Sequence, residues 1–309
     1  MAGIGVILNP YSRSNRKNPE RAEELGFIVG DKGSCYATRS IEDVKKLAKE
    51  FKNRAIDIIG LAGGDGTYQK TLTALLSIYG KDPFPKIALL GGGTMNNVVN
   101  CLKLKGTPET ILSRLIYKYH QDQAFQETTL HLLKVNDQYG FLFGNGLLYR
   151  FLLDFNQVEG PTRWTAAWML ASAMGHALVH SKRGKALCAR LDANVTLDGR
   201  PWPFKNYTTV FAGTIETLGL SFDALYRARK EKDKFQICAF SLPPRQVVSS
   251  FPVLLMGGKV PSENWLDDLA GEVEIHYREP QGYMLDGELY GPVEKVKLQL
   301  GPAIRVVSP

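Results

Sequence analysis

The chain has 309 residues, of which 44% are hydrophobic and 22% are charged, a composition typical of a folded globular protein that can hold two domains. Lysine and arginine (38) outnumber aspartate and glutamate (31), and the net charge of +7 favours anionic partners. The basic residues are dispersed rather than collected in a block, which argues against a nucleic-acid-binding arm. The four cysteines lie far apart without a C-x-x-C spacing, so we expect reduced thiols and a cytoplasmic protein.

The first third of the chain alternates predicted strands and helices. Residues 5–8 predict a first strand, and a polar loop and a short strand at 35–37 follow. Ser40 is positioned to cap the next helix, and Thr107 caps a later helix that begins with a proline. Because strands alternate with helices, we predict a three-layer α/β domain with a mostly parallel sheet over residues 1–126.

Beyond residue 126 the pattern changes to short strands. Residues 129–135 and 139–143 flank one hairpin turn, and Asp198-Gly199 marks a second. Further strands are predicted at 207–212, 235–240, 273–277 and 296–300, with one helix at about 162–180. We therefore predict that residues 127–289 form a second domain, mainly an antiparallel β-sandwich.

Two glycine-rich loops are the most informative feature of the sequence. Gly63-Gly64-Asp65-Gly66-Thr67 and Gly91-Gly92-Gly93-Thr94-Met95-Asn96-Asn97 each follow an apolar run and open into a helical pattern. A strand that turns into a helix through glycines presents backbone N–H groups and the positive end of the helix dipole to one point, which suits a phosphate. Asp65 would repel a phosphate unless a cation lay between them, so the loops predict a nucleotide bound with Mg²⁺.

Two further features leave alternatives open. Asp286-Gly287-Glu288 is typical of a hairpin turn, but phosphoryl transfer to an alcohol also needs a carboxylate that accepts the hydroxyl proton. The helix that carries Trp164 and Trp168 predicts either core packing in the second domain or an element at a membrane surface. The nearly uncharged stretch at 164–179 is too short to span a bilayer comfortably.

Together these motifs resemble the diacylglycerol kinase catalytic-domain superfamily of lipid kinases, which includes bacterial diacylglycerol kinases and sphingosine kinases. The glycine loop at 63–67 matches the most specific motif of the family. The resemblance extends to four other segments: Asn9-Pro10-Tyr11-Ser12, Tyr36-Ala37-Thr38, Gly93-Thr94-Met95-Asn96-Asn97 and Asp286-Gly287-Glu288.

The resemblance implies a kinase that transfers the γ-phosphate of ATP to a hydroxyl of a diacylglycerol-like or sphingoid lipid. It implies that Glu288 is the general base and that Asp65 and Asp286 act with Mg²⁺ and the transferred phosphate. Asp233 lies where the family has a second metal loop, and residues from about 290 to 309 are expected to return to the first domain. The residues expected to bind the nucleotide are Asn9, Pro10, Ser12, Arg13, Thr38, Gly63, Gly64, Asp65, Gly66, Thr67, Gly93, Thr94 and Asn96.

Two other functions remain as alternatives. An NAD kinase-like enzyme would share the loop at 63–67, although an Asn-Glu element for the nicotinamide ribose is missing from the sequence. A non-catalytic nucleotide- or lipid-binding regulator is favoured by Lys70, where the family has an acidic residue, and by Arg13-Ser14-Asn15-Arg16, where it has glycines. The expected partner is the lipid substrate and not a nucleic acid; peripheral contact with a membrane and a homodimer are compatible with the sequence.

Overall fold

The computed structural model describes residues 3–30, 33–93, 96–179, 181–218 and 223–309. The chain divides into a first unit, which extends to His131 and includes Pro302–Pro309, and a second unit, Leu132–Gly301. None of the helices in the described part of the chain combines the length and the apolar character needed to cross a bilayer.

A parallel sheet with helices on both faces forms the first unit, as the alternation of strands and helices predicts. Val6 and Leu8 of the first strand pack into one core with the second and the last helix, whereas Gly5 faces Phe51 of the third helix. In chain order the elements are β1 (Ile4–Leu8), α1 (Arg13–Arg16), α2 (Arg21–Val29), β2 (Ser34–Ala37), α3 (Ile41–Asn53), β3 (Ile58–Gly63), α4 (Asp65–Tyr79), β4 (Lys86–Gly92), α5 (Asn97–Cys101), α6 (Pro108–His120) and β5 (Gln126–Val135), whose last residues enter the second unit.

Both predicted helix caps are confirmed. The Ser40 hydroxyl accepts the Asp43 N–H while the Asp43 carboxylate accepts the Ser40 N–H, so α3 begins with a complete capping box. Thr107 accepts the Thr110 N–H at the start of α6. The helices α1 and α2 were not predicted. The four residues of α1 are polar, whereas α2 carries Ala22, Leu25 and Val29 at helical spacing, the signal from which it could have been predicted.

The strand order places a topological switch point beside β1. Strand β1 pairs with β2 on one side and with β3 on the other, and β4 continues the sheet beyond β3, all in parallel. From β1 the chain therefore passes first to β2, at one edge of the sheet, and then crosses to β3 on the other side of β1. Loops after strands that diverge in this way leave a crevice at their carboxyl ends, where ligands of open α/β sheets bind.

Antiparallel strands around one apolar core form the second unit. The core contains Phe143, Tyr207, Phe235, Ile275 and Leu298, with side chains from most of the strands. Beyond β5 the strands are β6 (Gln138–Gly140), β7 (Leu142–Asn145), β8 (Leu191–Leu197), β9 (Arg200–Pro201), β10 (Asn206–Tyr207), β11 (Thr209–Gly213), β12 (Phe235–Phe240), β13 (Trp265–Ala270), β14 (Glu272–Leu285) and β15 (Glu288–Ser308). The final residues of β15 lie in the first unit, where Val306 pairs in parallel with Ile87 of β4.

The expectation of one helix in the second half is wrong. The described residues of that half contain four helices: α7 (Leu147–Asn156), α8 (Arg163–Leu178), α9 (Lys182–Leu187) and α10 (Pro244–Leu255). Only α8 was predicted. The sequences of α7 and α10 are short apolar runs, and such runs do not distinguish a helix from a buried strand by their periodicity.

Candidate functional site

The loop after β1 is bound to the loop after β3. The Asn9 side-chain amide donates to the Thr67 hydroxyl (2.9 Å), and the Asn9 N–H donates to the Ala62 carbonyl (3.0 Å). The buried Asn15 side chain donates to the carbonyls of both Asn9 (2.7 Å) and Ala62 (3.0 Å). Three of these hydrogen bonds join the two loops and fix their relative position at the switch point, and the fourth holds the loop after β1 together.

The two glycine-rich loops touch each other through their backbones. A Cβ atom on Gly64 would lie 2.7 Å from the Cα of Gly93, and a Cβ on Gly93 would lie 2.4 Å from the Cα of Gly64. Gly91 and Gly92 have φ values of 80° and 129°, which side chains disfavour. Glycine is thus required in these loops for mutual contact and for backbone conformation, independently of any ligand.

Asp65 joins the first glycine loop to the helix that follows the second. Its carboxylate accepts the backbone N–H groups of Asn97 (2.9 Å) and Val98 (3.4 Å), the first residues of α5. Below it, the buried Tyr68 hydroxyl accepts the N–H of Gly91 (3.0 Å). Burial raises the pKa of Tyr68 and the Asp65 charge raises it further, so the phenol stays protonated.

The backbone N–H groups at the two loops have different surroundings. The Gly93 N–H donates to the Asn96 side-chain oxygen (2.9 Å), and Asn96 has a left-handed conformation with φ 53°. Gly66 and Thr67 lie in the first turn of α4, where amides have no intrahelical acceptor, and the N-cap Gly64 has no side chain to cap them. The first loop is therefore the part of the site that presents amides to an anion.

A partly buried ion pair supports the loop after β1. Arg21 at the start of α2 contacts Glu109 of α6 (2.6 Å) and also donates to Ser14 (2.6 Å) and Asn15 (3.0 Å). Burial would raise the Glu109 pKa, but hydrogen bonds from Thr107, its own N–H and Arg21 outweigh burial and lower it. Sequence reasoning missed Arg21, Asn15 and Tyr68; the concentration of polar residues just after β1 was the available signal for Asn15.

The other predicted nucleotide-binding residues lie around the same edge of the sheet. The hydroxyl oxygen of Ser12 is buried without a hydrogen-bond partner among the described residues, so this hydroxyl suits donation to an acceptor atom of a ligand. Pro10 and Arg13 are half-buried in the same loop. Thr38, just after β2, is buried and contacts the Leu8 carbonyl through its N–H (2.9 Å). Thr94 lies outside the described residues.

The second-unit motif forms a tight turn held by its aspartate. Both oxygens of Asp286 accept the Phe141 N–H (3.1 and 3.0 Å), and one also accepts the Leu142 N–H (2.9 Å). Asp286 and Gly287 have φ values of 49° and 85°, as a two-residue hairpin turn requires. Asp286 therefore positions the turn, and half-buried Glu288 is the first residue of β15 after it.

The residues predicted to bind metal do not form a complete metal site. Within the described ranges, no three His, Cys, Asp or Glu side chains are grouped to hold an ion, and Asp233 is exposed. Mg²⁺ in phosphoryl-transfer enzymes is held by one or two carboxylates together with the substrate phosphates and water. Asp65 fits that limited requirement through oxygen lone pairs, whereas the structure adds no support for an ion at Asp233.

Among the described residues, helices α7, α8 and α9 surround a small cavity of about 130 Å³, lined by Phe151, Met169 and His176 among others. Ligand pockets typically measure roughly 300–1,000 Å³, so this cavity is too small for a lipid. Trp164 and Trp168 are 85% and 75% exposed, so core packing, one of the two alternatives for this helix, does not hold for its tryptophans.

Comparisons with known proteins agree with the geometry of the first unit. Residues 3–125 match the family model of the diacylglycerol kinase catalytic domain. A diacylglycerol kinase from Bacillus anthracis str. Sterne is similar in structure, with 17% identity and a TM-score of 0.66 over 100% of this chain and 97% of that chain. A second protein of that strain, provisionally assigned as a diacylglycerol kinase, has 15% identity and a TM-score of 0.71 over the same shares.

No curated protein matches the chain. At these identities the solved structures show the fold, whereas the family model matches the sequence of the glycine loops themselves. By that match, residues 3–125 are similar to the diacylglycerol kinase catalytic domain.

Proposed function

We propose that the protein is an ATP-dependent lipid kinase that transfers the γ-phosphate to a hydroxyl of a diacylglycerol-like or sphingoid lipid. The observation that carries the proposal is the contact between Gly64 and Gly93, in the loops that follow the neighbouring strands β3 and β4. It supports the proposal because it holds the first-turn amides of α4 at the edge of the sheet, within the part of the chain that matches the family model.

The first unit binds and orients the nucleotide. The first-turn amides of α4 and the positive end of its dipole stabilise the phosphates. Asn9 and Asn15 hold the loops in place, so little conformational entropy remains to be lost on binding. The Ser12 hydroxyl supplies one more donor, and Thr38 and Thr94 are the proposed contacts to the rest of the nucleotide.

The second unit contributes the proton acceptor. As the bond between the lipid oxygen and the γ-phosphorus forms, the bond from that phosphorus to the oxygen of ADP breaks, and the hydroxyl proton passes to the Glu288 carboxylate. Asp286 holds the turn before Glu288 through three hydrogen bonds to the backbone. Mg²⁺ that arrives with ATP would be held by Asp65 and would neutralise phosphate charge.

The test is incubation of the purified protein with radiolabelled ATP, Mg²⁺ and a total lipid extract, followed by identification of the labelled product. We expect a labelled phospholipid with wild-type protein and none with Glu288→Gln. Glu279→Gln is the matched control, because Glu279 is an exposed carboxylate of β14 outside the motif.

Each alternative predicts a different outcome of the same test. NADP formed from NAD and ATP would favour the NAD kinase-like enzyme. ATP binding without a labelled lipid or NADP would favour a non-catalytic regulator. Equal lipid labelling by wild type and Glu288→Gln would remove Glu288 from the mechanism.

A further inference from the structure

One face of helix α8 exposes only apolar side chains and a glycine. The exposed positions Trp164, Ala167, Trp168, Ala171, Gly175 and Leu178 recur at the three- and four-residue spacing of one helix face. We call this set the tryptophan ridge. A helix on the surface of a globular unit normally turns its charged face to water, so the ridge is the reverse of the usual arrangement.

Exposed apolar side chains also occur beyond the ridge. Val179, directly after α8, is 73% exposed. Helix α10 packs against α8, and Arg245 at the start of α10 donates to the Leu178 carbonyl (3.2 Å), which fixes a cation at the end of the ridge. At the other end of α10, Leu255 and Met256 are 46% and 78% exposed. Exposed apolar surface of this extent marks an interaction site.

The segment of chain that carries the ridge is basic, although one of its cations, Arg183, pairs with Asp154 of α7 (3.1 Å). The segment from residue 163 to residue 191 contains five basic residues, Arg163, Lys182, Arg183, Lys185 and Arg190, and no aspartate or glutamate. The ridge is thus an apolar surface with cations at both ends of its helix, a pattern that fits an anionic partner.

We propose that the tryptophan ridge inserts into the interfacial layer of a bilayer that contains anionic lipids. Tryptophan favours that layer because its ring is apolar and its N–H remains in contact with water. Lysine and arginine beside the ring reach the anionic headgroups. The ridge is one face of a single helix, so it suits contact with a broad surface better than enclosure of a peptide or a single lipid.

A second copy of this chain is a poorer partner for the ridge. A two-fold symmetric contact brings the same surface of both copies together. The basic residues of one copy would then approach those of the other, and in each copy one of the five, Arg183, is offset by Asp154. The inference concerns docking and does not depend on the kinase activity.

Co-sedimentation with vesicles of phosphatidylcholine, with and without phosphatidylglycerol, tests the proposal. We expect wild-type protein to bind the anionic vesicles at least about tenfold more strongly than the neutral ones, since each basic residue near such a surface contributes to the attraction. Added salt should weaken the binding. The tryptophan emission should shift to shorter wavelength on binding, because Trp164 and Trp168 leave water.

The variant Trp164→Ala/Trp168→Ala should lose at least about tenfold in vesicle affinity and should keep its melting temperature, since both rings are exposed. Phe27→Ala/Tyr117→Ala is the matched control, because it removes two exposed aromatic rings (89% and 62%) from the first unit. The control should bind vesicles like wild type.

Three results would overturn the proposal: no binding of wild type to anionic vesicles, equal binding by the tryptophan variant, or a solution dimer that this variant dissociates. A short-chain lipid acceptor dissolved as monomers separates docking from catalysis. Its phosphorylation should be unchanged in the tryptophan variant. Vesicle binding without phosphorylation of any lipid would leave the docking surface standing and refute the kinase proposal alone.

Discussion

Replacing Gly64 by alanine should separate the two glycine loops. The new Cβ would lie 2.7 Å from the Cα of Gly93, whereas two carbon atoms in contact prefer about 3.5–4.0 Å. The neighbour is backbone and not the end of a flexible side chain, so the loops must move apart by about 1 Å. The hydrogen bonds from Asn97 and Val98 to Asp65 would lengthen with them.

The strain should lower the stability of the protein, and the displacement of the loops should lower its turnover. Overpacking of this kind destabilises a protein by about 1–3 kcal/mol. A misplacement of about 1 Å in a site that works by positioning lowers turnover by roughly 10²-fold. Thermal unfolding would measure the first effect, and calorimetric titration with ATP and kinase assays would measure the second.

Gly26→Ala is the matched control in the same unit. Gly26 lies within α2, and the nearest atom to its added Cβ is 3.8 Å away, an ordinary contact. Alanine should stabilise this helix by about 0.5–1 kcal/mol without changing the affinity for ATP. If Gly64→Ala bound ATP and melted like wild type, the contact between the loops would not organise the site.

Three further substitutions test the remaining parts of the site. Glu288→Gln should lower turnover by about 10²–10⁴-fold with an unchanged melting temperature, as a general base requires; loss of stability instead would indicate a structural role. Asp286→Ala should destabilise the protein by about 2–6 kcal/mol in denaturant unfolding, because the buried N–H groups of Phe141 and Leu142 lose their acceptor; wild-type stability would contradict this. Arg21→Met should weaken ATP binding, because Asn15 loses the hydrogen bond from Arg21 that orients it. It should also change how the free energy of unfolding falls at acidic pH. The pKa of Glu109 in the folded protein lies below its ordinary value of 4.5, so the ionised carboxylate stabilises the fold at higher pH. Wild type loses that stabilisation as the pH falls through the lowered pKa, and the variant should lose less of it over the same range. Parallel curves of unfolding free energy against pH for the two proteins would contradict the prediction.

The sequence was sufficient where local patterns determine structure. Buried strands such as residues 58–63, and caps such as Ser40 with Asp43, depend on residues close together in the chain. The carboxyl ends of parallel strands share one edge, so the meeting of the two glycine loops followed from strand order alone. The family motifs then supplied roles that no local pattern shows.

The interactions that the sequence did not predict are those between distant residues. Arg21 and Glu109 are separated by 88 positions, and Asp286 and Phe141 by 145. Neither pair has a spacing that a helix or a hairpin would repeat. Their partners are set by how the elements pack, and packing depends on the whole unit rather than on a window of sequence.

Both motif aspartates accept backbone N–H groups from a neighbouring loop, and this changes how their loss should be interpreted. Asp65 receives two amides from the start of α5, and Asp286 receives two from the residues before and within β7. An asparagine in either place would present an NH₂ group to some of those donors, so the loop would move even if no metal were bound. A fall in turnover on such a substitution therefore combines two effects: the displacement of the loop and the loss of a carboxylate charge near the phosphates. Glu288→Gln keeps the size of the side chain and removes its charge, so its effect on turnover, compared with its effect on the melting temperature, separates proton transfer from loop position.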